Sequence, residues 1–213
     1  MRALGLIGRA RNVARERGVG GLLREVRLRA VYATSATWYE RDIAQPIDAP
    51  PSSLDARIIL DLPQLTLQHL PREDLHPELL RAAAAYDHLL AHAMVGETFG
   101  GYVLAGVGQV YVADYRRCLT LPADAAFIYD SLVARELRGK RLLGQMVAAA
   151  TRRLHERGVQ RIFCHIPDWN TASSRAYTRL GFKPAGRVTF LQIGGMNGPG
   201  FFLGGPDRLL RRR

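Results

Sequence analysis

The stretch of this chain with the most evident chemistry is Ala134-Arg135-Glu136-Leu137-Arg138-Gly139-Lys140-Arg141-Leu142-Leu143-Gly144, between an apolar run at 126–133 and a long helical pattern. A strand that feeds a basic, glycine-containing turn at the mouth of a helix builds an anion site. The N–H groups of the first helical turn have no carbonyl partner, and the helix dipole places partial positive charge beside them. Arg138, Lys140 and Arg141 add counter-charges. The favoured ligand is a phosphate or pyrophosphate. The bland alternative is an ordinary helix entry with a solvated basic turn.

A second block follows the apolar run at 162–166: Asp168-Trp169-Asn170-Thr171-Ala172-Ser173-Ser174-Arg175-Ala176-Tyr177-Thr178-Arg179-Leu180-Gly181-Phe182. Asn, then Ser, then Tyr, then Gly-Phe in this order resembles the signature of the GNAT superfamily of N-acyltransferases. Leu132-Val133 followed by Arg138-Gly139-Lys140 resembles that superfamily's coenzyme A pyrophosphate loop. The resemblance is specific over about 126–190, weaker over 55–125 and absent over 1–54.

The resemblance implies an α/β (α+β) fold with a mixed, mostly antiparallel central sheet flanked by helices. It implies transfer of an acyl group, acetyl in the first instance, from acetyl-coenzyme A to an amine by direct attack, with no metal. Backbone groups of Leu132 and Val133 would pair with the pantetheine arm. Amides from Arg138 through Gly139, Lys140, Arg141, Leu142 and Leu143 to Gly144 would hold the pyrophosphate. Asn170, with Ser173 completing its turn, would meet the pantetheine end, and Tyr177 would protonate the departing thiolate. A phenol that titrates at about 10 keeps its proton at neutral pH and can hand it to a thiolate. The structural alternatives are a core aromatic for Tyr177, spaced with Leu180, and a helix N-cap for Asn170. The loop departs from the superfamily's pattern at Arg141 and Leu143, where small residues are usual.

Aminolysis of a thioester needs a neutral amine, so some group must accept its proton. Tyr129, Asp130, Glu97, His165 and Asp168 are the candidates, and Asp130 comes first because it lies on the strand entering the loop. Strand alternation sets Asp130 on the face opposite Tyr129 and Ser131, unless a bulge intervenes. The acceptor expected is an amine-bearing small molecule or sugar. A non-catalytic module of the same fold, binding coenzyme A or an anionic surface, is the alternative.

The elements that position these residues are read from periodicity and breakers. Strands are expected at 57–60, 119–121, 126–133, 162–166 and 187–193, with a strand pair over 98–113 that turns near Ala105-Gly106. Helices are expected at 77–94, 139–157 and 171–180. The clearest carries Leu142, Met146, Ala149 and Ala150 at helical spacing and ends at Gly158. Upstream, 2–17 and 20–37 read as two helices broken at 18–21, the second with Leu22, Val26 and Ala30 on one face. A Pro-rich linker covers 46–53. The predicted organisation is a basic helical extension with its linker over 1–54, an acyltransferase domain over 55–195 and a basic tail over 196–213.

The net charge of +11 belongs to the ends. Residues 1–41 hold nine arginines against three glutamates, residues 206–213 four arginines against one aspartate, and the middle is close to neutral. Such ends suit an anionic surface, so peripheral membrane contact through 1–41 is an expectation. A nucleic-acid partner is disfavoured by the near-neutral middle and the absence of clustered aromatics. Cys118 and Cys164 are the only cysteines and lack metal-ligand spacing. No apolar run reaches the ~18 residues needed to span a bilayer, and the cytoplasm is the default location.

Overall fold

Residues 31–42 include Tyr32, Thr34, Thr37, Trp38 and Tyr39, aromatic and β-branched types that suit a pleated, half-buried surface. They form a strand, β1 (Val31–Asp42). The computed structural model describes residues 31–61, 77–193 and 199–204. The expected helix at 2–17, and the part of the second before residue 31, lie outside the described residues. So does the tail from 205. Within 31–37 the helix expectation is corrected to strand.

Ten strands and three α-helices are described. After β1 come β2 (Ala56–Asp61), α1 (Pro77–Ala85), β3 (Leu89–Val95), β4 (Thr98–Val107), β5 (Gln109–Val112) and β6 (Arg117–Thr120). They are followed by β7 (Ala125–Val133), α2 (Leu142–Glu156), β8 (Arg161–Pro167), α3 (Thr171–Arg179), β9 (Lys183–Ile193) and β10 (Gly200–Leu203). Eight strands make one sheet in the order β10-β9-β1-β8-β7-β4-β3-β2, and β5 pairs with β6 in a separate hairpin. Every pair in the large sheet is antiparallel except β7 with β8. The one parallel pair is joined by α2, the long crossover that a parallel pair requires.

β1 lies inside the sheet, paired with β8 from Ala36↔Pro167 to Asp42↔Arg161 and with β9 from Val31↔Ile193 to Glu40↔Lys183. Among the described residues the sheet therefore takes in residues from 31 onward, ahead of the expected domain start at 55. It also extends past residue 195, because β10 pairs with β9. Two further expectations are corrected. The helix from Pro77 stops at Ala85, Asp87 takes a left-handed φ of 51°, and Leu89–Val95 is strand. The turn expected at Ala105-Gly106 falls instead at Gly108, and β4 runs through Gly106. Gly106 serves close packing, since a Cβ there would sit 2.6 Å from Val110 Cγ2 and 2.8 Å from the His88 ring.

One face of the sheet is covered by α2, whose Leu142, Met146, Val147, Ala150 and Leu154 are all buried. Full burial of each large apolar side chain contributes about 1.5–3 kcal/mol, so packing rather than the preceding loop sets where this helix lies. The opposite face carries Trp38, Phe127, Phe163 and Phe190 beneath the β5–β6 hairpin, and Leu90, Tyr102 and Leu104 beneath α1.

β4 approaches β7 unusually closely at Gly101, where φ is 147° and a Cβ would stand 2.3 Å from the Leu132 carbonyl oxygen. No side chain can yield there, because the obstacle is backbone. Gly101→Ala should lower stability by about 2 kcal/mol or more, read as a shifted midpoint in urea unfolding. An unchanged midpoint would mean that the two strands separate freely.

Candidate active site

The parallel pairing of β7 with β8 runs from Ala125↔Arg161 to Ile128↔Cys164 and stops there. Beyond that point β7 stays with β4 as far as Gly101↔Val133, while β8 stays with β1 as far as Ala36↔Pro167. The two strands part, and a cleft of about 260 Å³ opens between them. Its lining includes Tyr129, Asp130, Ser131, His165, Tyr177 and Asp114.

A bulge shapes this wall. Leu104 pairs with Asp130 but the next residue, Ala105, pairs with Ile128, which leaves Tyr129 as the extra residue of β7. Alternation resets at that point. Asp130 and Tyr129 consequently share one face, Asp130 bonding to Tyr102 on the α1 side, and Ser131 turns to the helix face with Tyr177. The bulge lets all three residues reach the cleft.

Tyr177 is 2% exposed and its hydroxyl donates to Ser131 Oγ at 3.2 Å. Burial raises the phenol above its ordinary value, with the neighbouring Cys164 and Asp130 adding to the effect. Burial likewise raises the Cys164 thiol. Asp130 accepts a 2.8 Å hydrogen bond from Tyr102. Burial lifts its carboxyl above the usual carboxylate range despite that bond, and Asp114 adds a smaller push upward. The Tyr129 hydroxyl sits 3.2 Å from His88 Nδ1, and His88 Nε2 sits 3.0 Å from the Gln109 carbonyl. A carbonyl only accepts, so Nε2 carries the ring proton and Tyr129 donates to Nδ1. Burial pushes His88 down and Tyr129 up.

Of the five candidate proton acceptors, the cleft brings together Tyr129, Asp130 and His165. Glu97 is exposed in the β3–β4 turn. Asp168 is engaged by Arg187 at 2.5 Å and by the Thr37 hydroxyl at 3.3 Å, outside the cleft. Asp114, Ser131 and Tyr102 were not singled out by the sequence. Asp114 lies in a 3₁₀ turn (Ala113–Tyr115) and reaches His165 across 51 positions, a separation that leaves no local pattern.

Beyond Val133 a short 3₁₀ turn (Arg135–Leu137) leads to the basic loop. Arg141 occupies the N-cap of α2 with a left-handed φ of 67°, a conformation that glycine adopts at little cost. The arginine thus adopts a turn that favours a small residue, while its exposed side chain adds charge. The first bond of α2 runs from the Gln145 N–H to the Arg141 carbonyl at 3.4 Å, so the N–H groups of Leu142, Leu143 and Gly144 precede it. The Leu142 side chain is buried and that of Leu143 packs against the same core, so neither covers the helix mouth. A Cβ built at Gly139 would meet nothing within 4 Å. Ser52 donates to the Lys140 carbonyl at 2.6 Å and steadies the outer side of the loop. Two expectations are modified. Arg138 turns its Nε to the Val133 carbonyl at 3.2 Å, occupying one backbone acceptor assigned to pantetheine. Asn170 caps α3, its Oδ1 accepting from the Ser173 N–H at 3.1 Å, while both residues line the cleft.

Loop and phenol are held in register by packing. Leu180, at the end of α3, comes within 3.2 Å of a Cβ built at Gly144. Arg41 of β1 donates to the Leu180 carbonyl at 2.7 Å and to the carbonyls of Gln45 and Pro46.

The profile of the Acetyltransferase (GNAT) family matches residues 59–182, more than half of the chain, and the chain belongs to that family. β1, β9 and β10 lie outside the match. Among solved structures the chain is similar to a Drosophila protein at 12% identity, covering 82% of this chain and 56% of that one with a TM-score of 0.52. A conserved protein of Staphylococcus epidermidis gives 14% identity, 81% and 67% coverage and 0.53. A tandem GNAT protein from the clavulanic acid biosynthesis pathway gives 16%, 84% and 59%, and 0.52. These likenesses show the fold, and the chain spans only 56% to 67% of those three proteins. No curated protein matches the chain.

Proposed function

We propose that this chain is an N-acyltransferase that moves an acetyl group from acetyl-coenzyme A to an amine. The observation that carries the reading is the parting of β7 from β8, which puts Tyr177 and Asp130 in one cleft beside the strand that leads to a bare helix mouth. The unpaired first-turn N–H groups, the left-handed Arg141 and the open space above Gly139 fit a pyrophosphate. When bound, the coenzyme would supply a thioester carbonyl and a thiolate leaving group.

The protein's own groups do the rest. Asp130, raised by burial, is the first choice to take the acceptor's proton and leave a neutral amine nitrogen. Tyr177 keeps its proton until a thiolate lies beside it, and rotation about its C–O bond redirects that proton away from Ser131. Burial weakens the phenol as an acid. The same surroundings would raise the basicity of a sulfur there, as they do for Cys164, which offsets part of that weakening.

The non-catalytic alternative draws on Arg138, whose hold on the Val133 carbonyl competes with the pantetheine arm. One experiment separates the two. Acetyl-coenzyme A should bind the full chain by calorimetry, and primary amines should then release free thiol. Binding without thiol release from any amine favours the alternative, and the absence of binding removes the acyltransferase reading together with the coenzyme-binding form of the alternative.

A further inference from the structure

One pair of residues in the cleft has no part in the chemistry above. His165 lies on β8 with its ring between Tyr115 and Phe127, at centroid separations of 5.1 and 5.7 Å. Its Nε2 meets Asp114 Oδ2 at 2.8 Å. A carboxylate only accepts, so this bond fixes the proton of the neutral ring on Nε2 and leaves Nδ1, which is buried without a partner, as the bare nitrogen. The imidazole is 7% exposed and packed on both sides, so it has no freedom to release the carboxylate. Asp114 itself is 42% exposed, and its Oδ1 is not used in the His165 bond.

The hydrogen bond from His165 holds the Asp114 carboxyl below its usual range, whereas Asp130 is raised. The cleft therefore has a fixed anion and a separate carboxyl suited to proton transfer. Asp114, Asp130 and Tyr177 line the same cleft, and His165 holds Asp114 in place there. No lysine or arginine is among the described residues that line the cleft, although the chain carries a net charge of +11. Tyr111 and Tyr129 add aromatic surface to the same walls.

We propose that Asp114, oriented by His165, docks a second cationic group of the acceptor, which is therefore a diamine or longer polyamine. One nitrogen reacts between Asp130 and Tyr177 while another rests on Asp114. The inference rests on the acyltransferase reading and names the acceptor class for that site. Asp114 is a binding residue and His165 a positioning residue.

Three four-carbon amines test it with the full chain: putrescine, butylamine and γ-aminobutyrate, whose far ends are cationic, neutral and anionic. Thiol release should favour putrescine over butylamine by about tenfold or more in kcat/KM, as expected for a charge-assisted contact, and γ-aminobutyrate should be poorest. Asp114→Asn should bring the putrescine kcat/KM down to about the butylamine value, chiefly through KM, while butylamine changes far less, because it loses only the small push of Asp114 on Asp130. His165→Gln retains an N–H donor and should keep most of the preference, and His165→Phe should lose it. Equal rates for putrescine and butylamine in the native chain overturn the proposal, as does an Asp114→Asn variant equally impaired on both. Calorimetric binding of putrescine to the protein with coenzyme A present gives a readout without turnover. Asp114-dependent binding with no thiol release from any amine keeps the docking site and removes the acyltransferase reading. Absence of both binding and release removes both.

Discussion

Tyr177→Phe should slow thiol release by about 10²–10⁴-fold, the usual contribution of a positioned general acid, while acetyl-coenzyme A binds as tightly as before. The substitution removes one oxygen and leaves the ring against Phe182, at 5.2 Å and 86°, so the packing of α3 on the sheet persists. The lost bond is the one to Ser131 Oγ, and Ser131 lines the cleft, where water can replace it. An interaction made only while the thiolate departs is felt in kcat and kcat/KM equally, with little change in coenzyme affinity. The measurement is a steady-state thiol assay beside calorimetric titration of the same preparation. Turnover equal to that of the native chain would take Tyr177 out of the mechanism.

Asp130→Asn should lower kcat/KM by about 10²–10⁴-fold and, at neutral pH, make the protein more stable. The two effects share one cause. Burial raises the Asp130 carboxyl above its unfolded value, so its contribution to stability is full below the unfolded value and is lost as pH rises through the folded one. At neutral pH the folded protein carries the cost of a buried charge that asparagine never acquires. In acid, where the carboxyl is protonated in both states, the variant and native chain should converge. Urea unfolding across a pH series checks this. The native kcat/KM should rise along a limb lying above the ordinary carboxylate range, and the variant should lack that limb. A variant that is destabilised at neutral pH, or fully active, would show that Asp130 is an ordinary ionised surface group.

The sequence made the chemistry legible because its carriers are local. The run from β7 through the basic loop into α2, and the block from Asp168 to Phe182, each sit on consecutive residues whose spacing follows from one helix or one turn. Extending the helical reading across 31–37 failed for an identifiable reason. The stripe of Leu22, Val26 and Ala30 continues numerically into Ala33 and Thr34, but the aromatic and β-branched side chains of 31–37 find partners more than 120 positions away. The same bias carried the alanine-rich helix at Pro77 across Asp87 into Leu89–Val95, whose first five residues are buried and so show no alternation. The bulge at Tyr129 has no local signature, yet it decides which face Asp130 occupies. Asp114 escaped notice because a short 3₁₀ turn positions it.

Chain order gives β1 a distinctive history. Ala36 is translated long before Pro167 and Val188, the residues that will flank it. Until both appear, the ribosome holds a nascent polypeptide in which this strand, the earliest among the described residues, lacks its two neighbours, and pairings of such long range are slow to form. Inside the finished sheet there is thus a seam, where an early-made strand is clasped between two late ones, β8 and β9.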